Sequence, residues 1–202
     1  MKSKTSKFEC RLCGSPSTES VINLDGFPKS AQCFISNLDN TKEDQSITLM
    51  VCQCIDCGLI QLKNDPVSYF KDVITAASLS EASKESLVNE WRPFIEKYNI
   101  VGKDAIEVGS GRGDFLEVLE RLDVNAYGIE HSVDNIKECQ KKKLNVDKAY
   151  LTELPENYNK KYALVACNNF LEHQPETKKY LSCLRDLVSD DGVIYISVPN
   201  VD

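Results

Sequence analysis

Ala105-Ile106-Glu107-Val108-Gly109-Ser110-Gly111-Arg112-Gly113-Asp114 reads as a buried strand that ends in a glycine turn and opens a helix. Glycine at three alternate positions lets the backbone turn sharply, and N–H groups there can approach a ligand that a Cβ would hold away. The helix expected next, over 113–122, aims its positive end at the same place. These features point to a nucleotide. Which nucleotide depends on the acid before the glycines, Glu107, and the acid after the following strand, Glu130.

Working outward, the pattern from residue 104 onward alternates between strand and helix. Strands are expected at 104–108, 125–129, 146–150, 162–167 and 193–198, and helices at 113–122, 133–142 and 176–188. That is an α/β chain with a doubly wound, Rossmann-like parallel sheet. The link over 151–161 is short and holds Pro155, so its helix is weak or absent. A tight turn, Asp190-Asp191-Gly192, precedes the fifth strand. Upstream, 80–98 reads as a helix with Leu87, Val88, Trp91, Phe94 and Ile95 on one face, and Pro93 predicts a kink or two pieces.

Residues 8–62 differ in character, being rich in turns such as Cys13-Gly14-Ser15-Pro16, Asp25-Gly26-Phe27-Pro28 and Asp56-Cys57-Gly58. Short strands are expected at 20–24, 47–51 and 59–62, with the cysteine pairs in turns beside them. The expected organisation is a small module at 8–65, a helical linker at 66–100 and a nucleotide-binding domain at 101–202.

The 202 residues carry a net charge of -7, which disfavours nucleic acid and anionic membranes. The one basic run, Lys141-Lys142-Lys143, reads as a solvated helix end. No stretch approaches the ~18 apolar residues of a membrane span, and the polar start lacks an apolar signal segment, so a cytoplasmic protein is expected. Nine cysteines would be many for such a protein if they were spread, but five fall in two tight clusters near the N-terminus. Cys10-Arg11-Leu12-Cys13-Gly14 and Cys54-Ile55-Asp56-Cys57-Gly58 form two Cys-x-x-Cys knuckles whose four thiolates suit a closed, structural Zn²⁺ site. Cys33 and Cys52 leave the ligand choice open. Cys139, Cys167 and Cys183 read as small buried hydrophobes.

A dinucleotide site would show Gly-x-Gly-x-x-Gly, whereas the third glycine here comes one residue early, at Gly113. With Glu107 two residues before Gly109, the spacing resembles class I methyltransferases that use S-adenosylmethionine. The resemblance implies that Glu107 supports the methionine end of the cofactor and that Gly109, Ser110, Gly111 and Gly113 leave room for it. Glu130 closes the second strand, where a carboxylate can accept both ribose hydroxyls, and His131 beside it joins the same set. Cys167-Asn168-Asn169-Phe170-Leu171-Glu172-His173-Gln174-Pro175 resembles the Glu-His-x-Pro segment of that family. This implies that Asn168 lines the methionine end and that His173 faces the substrate as a general base. Alternatively, Phe170 and Leu171 are core and His173 is an exposed loop residue.

The order of knuckles, glycine turn and Glu-His-x-Pro resembles C-methyltransferases of nucleotide-linked deoxysugars, from Cys10 to Pro199. The resemblance implies a zinc module that helps to cover the substrate side, and a base that forms an enolate for attack on the methyl group. Those enzymes carry further strands after the fifth, so either a longer chain or a partner copy is expected to cover the open sheet edge. In the segment Val67 to Ser78, only Tyr69 matches their tyrosine-rich connection. The favoured reading is methyl transfer to a small, sugar-like acceptor. An NAD-dependent oxidoreductase or epimerase, and a catalytically silent binding module, are the alternatives.

Overall fold

The computed structural model describes residues 8–29, 45–71, 78–154 and 159–200. Cys33, Pro155 and 72–77 of the tyrosine comparison lie outside them. Two compact units are present, Met1–Val73 with Pro175–Lys178, and Ile74–Gln174 with Lys179–Asp202.

The first unit is built on a three-stranded antiparallel sheet, β1 (Thr18–Pro28), β2 (Ser46–Cys54) and β3 (Ile60–Leu62), paired in that order. Asp25-Gly26-Phe27-Pro28 is not the turn its composition suggests. Gly26 takes φ +77°, but the ladder slips between Leu24 and Phe27 and then resumes at Phe27 opposite Ile47. A glycine in the left-handed region is absorbed here as a bulge instead of a chain reversal. β2 likewise runs longer than expected, so Cys52 and Cys54 lie on the strand, both buried.

The second unit holds a five-stranded, wholly parallel sheet formed by β4 (Asp104–Val108), β5 (Asn125–Glu130), β6 (Asn145–Lys148), β7 (Tyr162–Asn168) and β8 (Val188–Ser197). Its order is β6-β5-β4-β7-β8. The chain moves outward from β4 to β6 and then returns to the other side of β4. This topological switch opens a crevice at the carboxyl ends of β4 and β7. Among the described residues, β6 and β8 are the edges.

Period-two alternation sends neighbouring residues of each strand to opposite faces. Ala105, Leu164 and Ala166 pack with Trp91, Ile95, Leu116, Leu119 and Cys139 on one face. Ile106, Val165 and Cys167 pack with Tyr180, Leu184 and Leu187 on the other. Thus α1 (Glu81–Lys97), α2 (Asp114–Glu120) and α3 (Val133–Lys141) contribute to one layer, and α4 (Thr177–Leu187) forms the second.

Three expected boundaries change. Helix α1 passes unbroken through Pro93, which lies on the exposed side, where water can satisfy the carbonyl that proline leaves unbonded. Ser80 caps its start by accepting from the Ser83 N–H at 3.1 Å. The strand expected at 146–150 ends at Lys148, after which a 3-10 turn begins at Leu151. β8 starts at Val188, directly after α4. Its pairing jumps from Tyr162–Val188 to Leu164–Val193, so the expected turn at 190–192 is an excursion within the strand. The Ser189 hydroxyl anchors that excursion by donating to the Tyr162 carbonyl at 3.1 Å.

Candidate functional site

The crevice is floored by the glycine turn. Gly109, Gly111 and Gly113 all have positive φ, at 77°, 53° and 76°. Two of them also stand where a side chain has no room. A Cβ on Gly109 would lie 2.9 Å from the Phe170 ring, and one on Gly113 would lie 2.3 Å from Leu144 Cδ1. Gly128 plays the same part on β5, where a Cβ would meet Ser110 Oγ at 2.6 Å.

The N–H groups of all three glycines of the turn and of Ser110 are already used inside the protein. Gly109 N and Ser110 N donate to the Ile129 carbonyl at 2.9 and 3.1 Å, and Gly113 N donates to the Ser110 carbonyl at 2.9 Å. Gly111 N donates to Glu130 Oε2 at 2.7 Å. These groups therefore do not form the ligand-facing set of donors that the glycine spacing suggests. The helix after the turn also departs from expectation. It begins at Asp114, one residue later, and its first turn carries the acids Asp114 and Glu117.

Those acids are held by two lysines. Lys84 Nζ lies 2.8 Å from Glu117 and 3.3 Å from Asp114. Lys142 Nζ lies 2.7 Å from each and also donates to the Arg112 carbonyl at 3.0 Å. Burial works against charge at Lys84 and Lys142, yet the facing carboxylates hold both ammonium groups above their usual range. Lys142 is thus a tie between α3 and the glycine turn, not a solvated helix end. Lys141 and Lys143 are the exposed members of the run.

Glu107 is buried near the end of β4. Its Oε1 accepts from Asn168 Nδ2 at 2.9 Å, and its Oε2 has no hydrogen-bond partner in the protein. Ser110 Oγ is buried and unpartnered as well. Burial pushes the Glu107 carboxyl up to about 8, against the pull of the Asn168 N–H and with the charges of Glu130 and Asp114 adding to the rise. Glu130 accepts three N–H groups, from Gly111 on Oε2 and from His131 and Ser132 on Oε1 at 2.8 and 2.7 Å. With two acceptor positions per oxygen, Oε2 keeps one for a ligand hydroxyl. A grip on two hydroxyls would displace a backbone donor.

β4, β5, β7 and the glycine turn therefore bring together Glu107, Gly109, Ser110, Gly111, Gly113, Glu130, His131 and Asn168. His131 is half-buried, with its ring 5.9 Å from that of Tyr150. His173 lies on a 3-10 turn after β7, with a side chain 42% exposed and Nε2 3.9 Å from Glu172. Reading the sequence missed Tyr150, Gln174 and Ser197. The Tyr150 hydroxyl donates to buried Gln174 Oε1 at 2.5 Å, and Gln174 Nε2 donates to the Phe170 carbonyl at 3.2 Å, which fixes the segment holding the Phe170 ring over Gly109. Polar residues one strand or turn away carry no local pattern that marks them.

In the first unit, Cys10, Cys13, Cys54 and Cys57 place their sulfurs within 4.8 Å of one another. Cys10 and Cys57 are 3.6 Å apart, and Cys13 and Cys54 are 3.5 Å apart. The two knuckles repeat one geometry. Gly14 N returns to the Cys10 carbonyl at 2.8 Å and Gly58 N to the Cys54 carbonyl at 2.9 Å, with φ +79° and +77°. Despite its burial, N–H groups of Cys13 and Leu12 bring Cys10 down to about 6. Although the Leu59 N–H pulls the other way, burial and the three neighbouring sulfurs push Cys57 up to about 12. Crowding that splits equivalent thiols in this way is relieved by a cation. Cys52 is buried but outside the cluster.

The sheet order and the acid-flanked glycine turn define a class I methyltransferase fold. A family model described as a methyltransferase domain matches residues 81–202, and the chain belongs to that family. Curated relatives include the ubiquinone biosynthesis O-methyltransferase of Actinobacillus pleuropneumoniae serotype 7, 24% identical over 111 residues, covering 50% of this chain and 47% of that protein. The enzyme of the same name from Methylococcus capsulatus is 25% identical over 114 residues, covering 53% and 48%. The chain spans about half the length of the curated relatives it matches. Among solved structures, an S-adenosylmethionine-dependent methyltransferase from Archaeoglobus fulgidus has a TM-score of 0.48 at 28% identity, covering 58% of this chain and 54% of that one. One from Clostridium acetobutylicum has a TM-score of 0.48 at 18% identity, covering 59% and 51%. No helix among the described residues is long and apolar enough to cross a membrane.

Proposed function

We propose that the chain binds S-adenosylmethionine at the carboxyl ends of β4, β5 and β7 and serves methyl transfer to a small acceptor. One observation carries this reading. The glycine turn spends the N–H groups of Gly109, Ser110, Gly111 and Gly113 internally while Glu107 keeps a buried carboxylate oxygen without a partner. A dinucleotide brings a pyrophosphate that calls for free N–H donors. S-adenosylmethionine brings an ammonium and a sulfonium and no phosphate, and a cation lowers the cost of ionising a buried acid.

The residues fit that molecule. Glu107 would receive its cationic amino end, with Asn168 and Ser110 beside it, and Glu130 Oε2 would accept a ribose hydroxyl. Gly109, Gly111 and Gly113 keep the floor free of side chains, and His131 flanks the second strand's end. When bound, the cofactor supplies a methyl group on a positively charged sulfur. The protein's part is alignment of donor and acceptor. For a carbon acceptor, His173 would hold the proton removed from the carbon. Calorimetric titration with S-adenosylmethionine, S-adenosylhomocysteine and NAD tests the reading. Binding of the first two without NAD is expected, with weaker binding in Glu107→Ala and Glu130→Ala. Failure of both methionine compounds to bind refutes it.

The four thiols are proposed to hold one structural Zn²⁺. A tetrahedral site with Zn–S near 2.3 Å sets sulfurs about 3.8 Å apart, and the two close pairs here stand at 3.6 and 3.5 Å. Four thiolates leave no open position, so the metal would stabilise the first unit and take no part in methyl transfer. Thiols gathered for a metal also support a reducing, cytoplasmic setting. The acceptor is proposed to be sugar-like and methylated on carbon, supported by the order of the four-cysteine module and the methyltransferase unit along the chain. Transfer of labelled methyl to a nucleotide-linked ketosugar, located by NMR on carbon or oxygen, tests that assignment.

A further inference from the structure

Ser197 is the last residue of β8. Its hydroxyl donates to Asn168 Oδ1 at 3.2 Å, and Asn168 Nδ2 donates in turn to Glu107 Oε1 at 2.9 Å. The backbone holds this line in register, because Asn168 and Ser197 are ladder partners and Asn169 N donates to the Ser197 carbonyl at 3.0 Å. Three adjacent strands thus each contribute one polar side chain, and every donor points towards the buried carboxylate. Beyond it, Glu107 Oε2 has no partner in the protein.

We infer that Ser197 is a positioning residue of the cofactor site, which orients the Asn168 amide so that its N–H faces Glu107 and favours the carboxylate form that receives a cation. The inference rests on the reading that Glu107 receives the cationic end of the methyl donor. The two ends of an amide have nearly the same shape, so packing alone does not choose between them. Turned the other way, Asn168 would set its carbonyl against a carboxylate.

A hydroxyl both donates and accepts, which gives the line two coherent polarities. With Glu107 ionised, Ser197 donates to Asn168 and Asn168 donates to Glu107. With Glu107 protonated, the carboxyl donates to Asn168 Oδ1, and Asn168 Nδ2 donates to Ser197. Only the first arrangement runs towards a negative charge, so its bond to Glu107 is charge-assisted and the Ser197 bond behind it reinforces it. Removing the Ser197 hydroxyl therefore costs the ionised form more than the neutral one. The other titratable groups around Glu107 are Glu130 at the end of β5 and Asp114 at the start of α2, both disfavouring its ionisation. The buried thiols of Cys139 on α3 and Cys167 on β7 are pushed up to about 11 and stay neutral near neutral pH.

The test is a ¹³C NMR titration of the Glu107 carboxyl in the cofactor-free chain, assigned with Glu107→Gln and repeated in Ser197→Ala, Ser197→Thr and Ser197→Cys. Ser197→Ala is expected to raise the midpoint by about 0.5 pH unit or more, the order of the reinforcement that one bond in a polarised line lends to the next. Ser197→Thr keeps the hydroxyl and is expected to restore the midpoint, and Ser197→Cys, a weaker donor of similar size, should fall between them. S-adenosylmethionine affinity near neutral pH should fall roughly threefold or more in Ser197→Ala, in line with that shift. A merely structural role would lower the melting temperature and leave the midpoint in place. An unmoved midpoint in Ser197→Ala or Ser197→Cys, or a threonine variant that behaves like alanine, overturns the inference. If the midpoint moves while the wild-type chain binds no S-adenosylmethionine, the methyl-donor reading falls and the Ser197–Asn168–Glu107 line stands.

Discussion

Gly109→Ala is the perturbation that bears most directly on the architecture of the site. Gly109 has φ +77°, and a Cβ built there meets Phe170 Cγ and Cδ2 at 2.9 Å and Cε2 at 3.2 Å. The ring has neighbours of its own, with Tyr180 at 5.9 Å and Tyr150 at 6.3 Å between centroids, so it does not simply swing aside. The backbone conformation costs an L-residue about 1–2 kcal/mol, and forcing a carbon into packed surroundings costs about 1–3 kcal/mol more. Gly102 supplies the control in the same unit, since it has φ +73° and nothing within 4 Å of its added Cβ. Gly102→Ala therefore carries the first cost alone. Thermal unfolding followed by the fluorescence of the chain's one tryptophan, Trp91, buried in this unit, reads the difference. Gly109→Ala is expected to melt lower than Gly102→Ala by roughly 2–12 °C, at about 2–4 °C per kcal/mol. Adding Phe170→Ala to Gly109→Ala should cost less than the sum of the two single changes, because the second removes the clash made by the first. Equal melting temperatures for the two glycine variants, with full additivity in the cycle, would refute the claim that Phe170 closes on the turn.

Three further outcomes follow from the charges. Because the folded carboxyl of Glu107 is pushed up to about 8 from an unfolded value of 4.5, the folded chain binds this proton more tightly than the unfolded chain. Its contribution to stability is full below the unfolded value and is lost as pH rises through the folded one, so Glu107→Gln should flatten the decline in Trp91-monitored melting across that window. An unchanged slope would assign the decline to other groups. Lys84→Met leaves buried Asp114 and half-buried Glu117 with Lys142 as their remaining cationic partner and is expected to cost about 3 kcal/mol, seen as a drop of roughly 6–12 °C. Pairing it with Asp114→Asn should recover part of the loss, and no recovery would mean that packing of the lysine stem dominates. Cys54→Ser should lower bound zinc from one equivalent per chain, measured by elemental analysis. Full zinc retention would place the metal elsewhere.

Much of the framework is local and so could be read along the chain. The strand-to-turn transition at Val108–Gly109 needs only glycine's access to positive φ, and each knuckle needs only two cysteines and the glycine that follows. The strand and helix periods from Asp104 onward are properties of neighbouring residues as well, which is why the doubly wound sheet was legible and its boundaries less so. Pro93 misled because local sterics do not register which face of α1 meets water. Asp25-Gly26 misled because a glycine's positive φ serves a bulge as well as a turn, and only the partner strand distinguishes them.

What the tertiary structure alone decided is how polar groups distant in sequence satisfy one another. Lys142 lies 28 residues from Asp114, Glu107 lies 61 from Asn168, and Asn168 lies 29 from Ser197. Composition marks Lys142 as solvated and gives Ser197 no distinction. Packing of α3 beside α2 sets Lys142 into its network, and parallel pairing of β4 with β7 and of β7 with β8 sets Ser197 into its own, because register is a contact between strands and not a property of either one. The same holds for the turn at 109–113. Its sequence announced a nucleotide, and the conformation followed from its glycines. That the N–H groups of Gly109, Ser110, Gly111 and Gly113 are spent on Ile129, Ser110 and Glu130, while one buried oxygen of Glu107 has no partner in the protein, depended on where β5 came to lie.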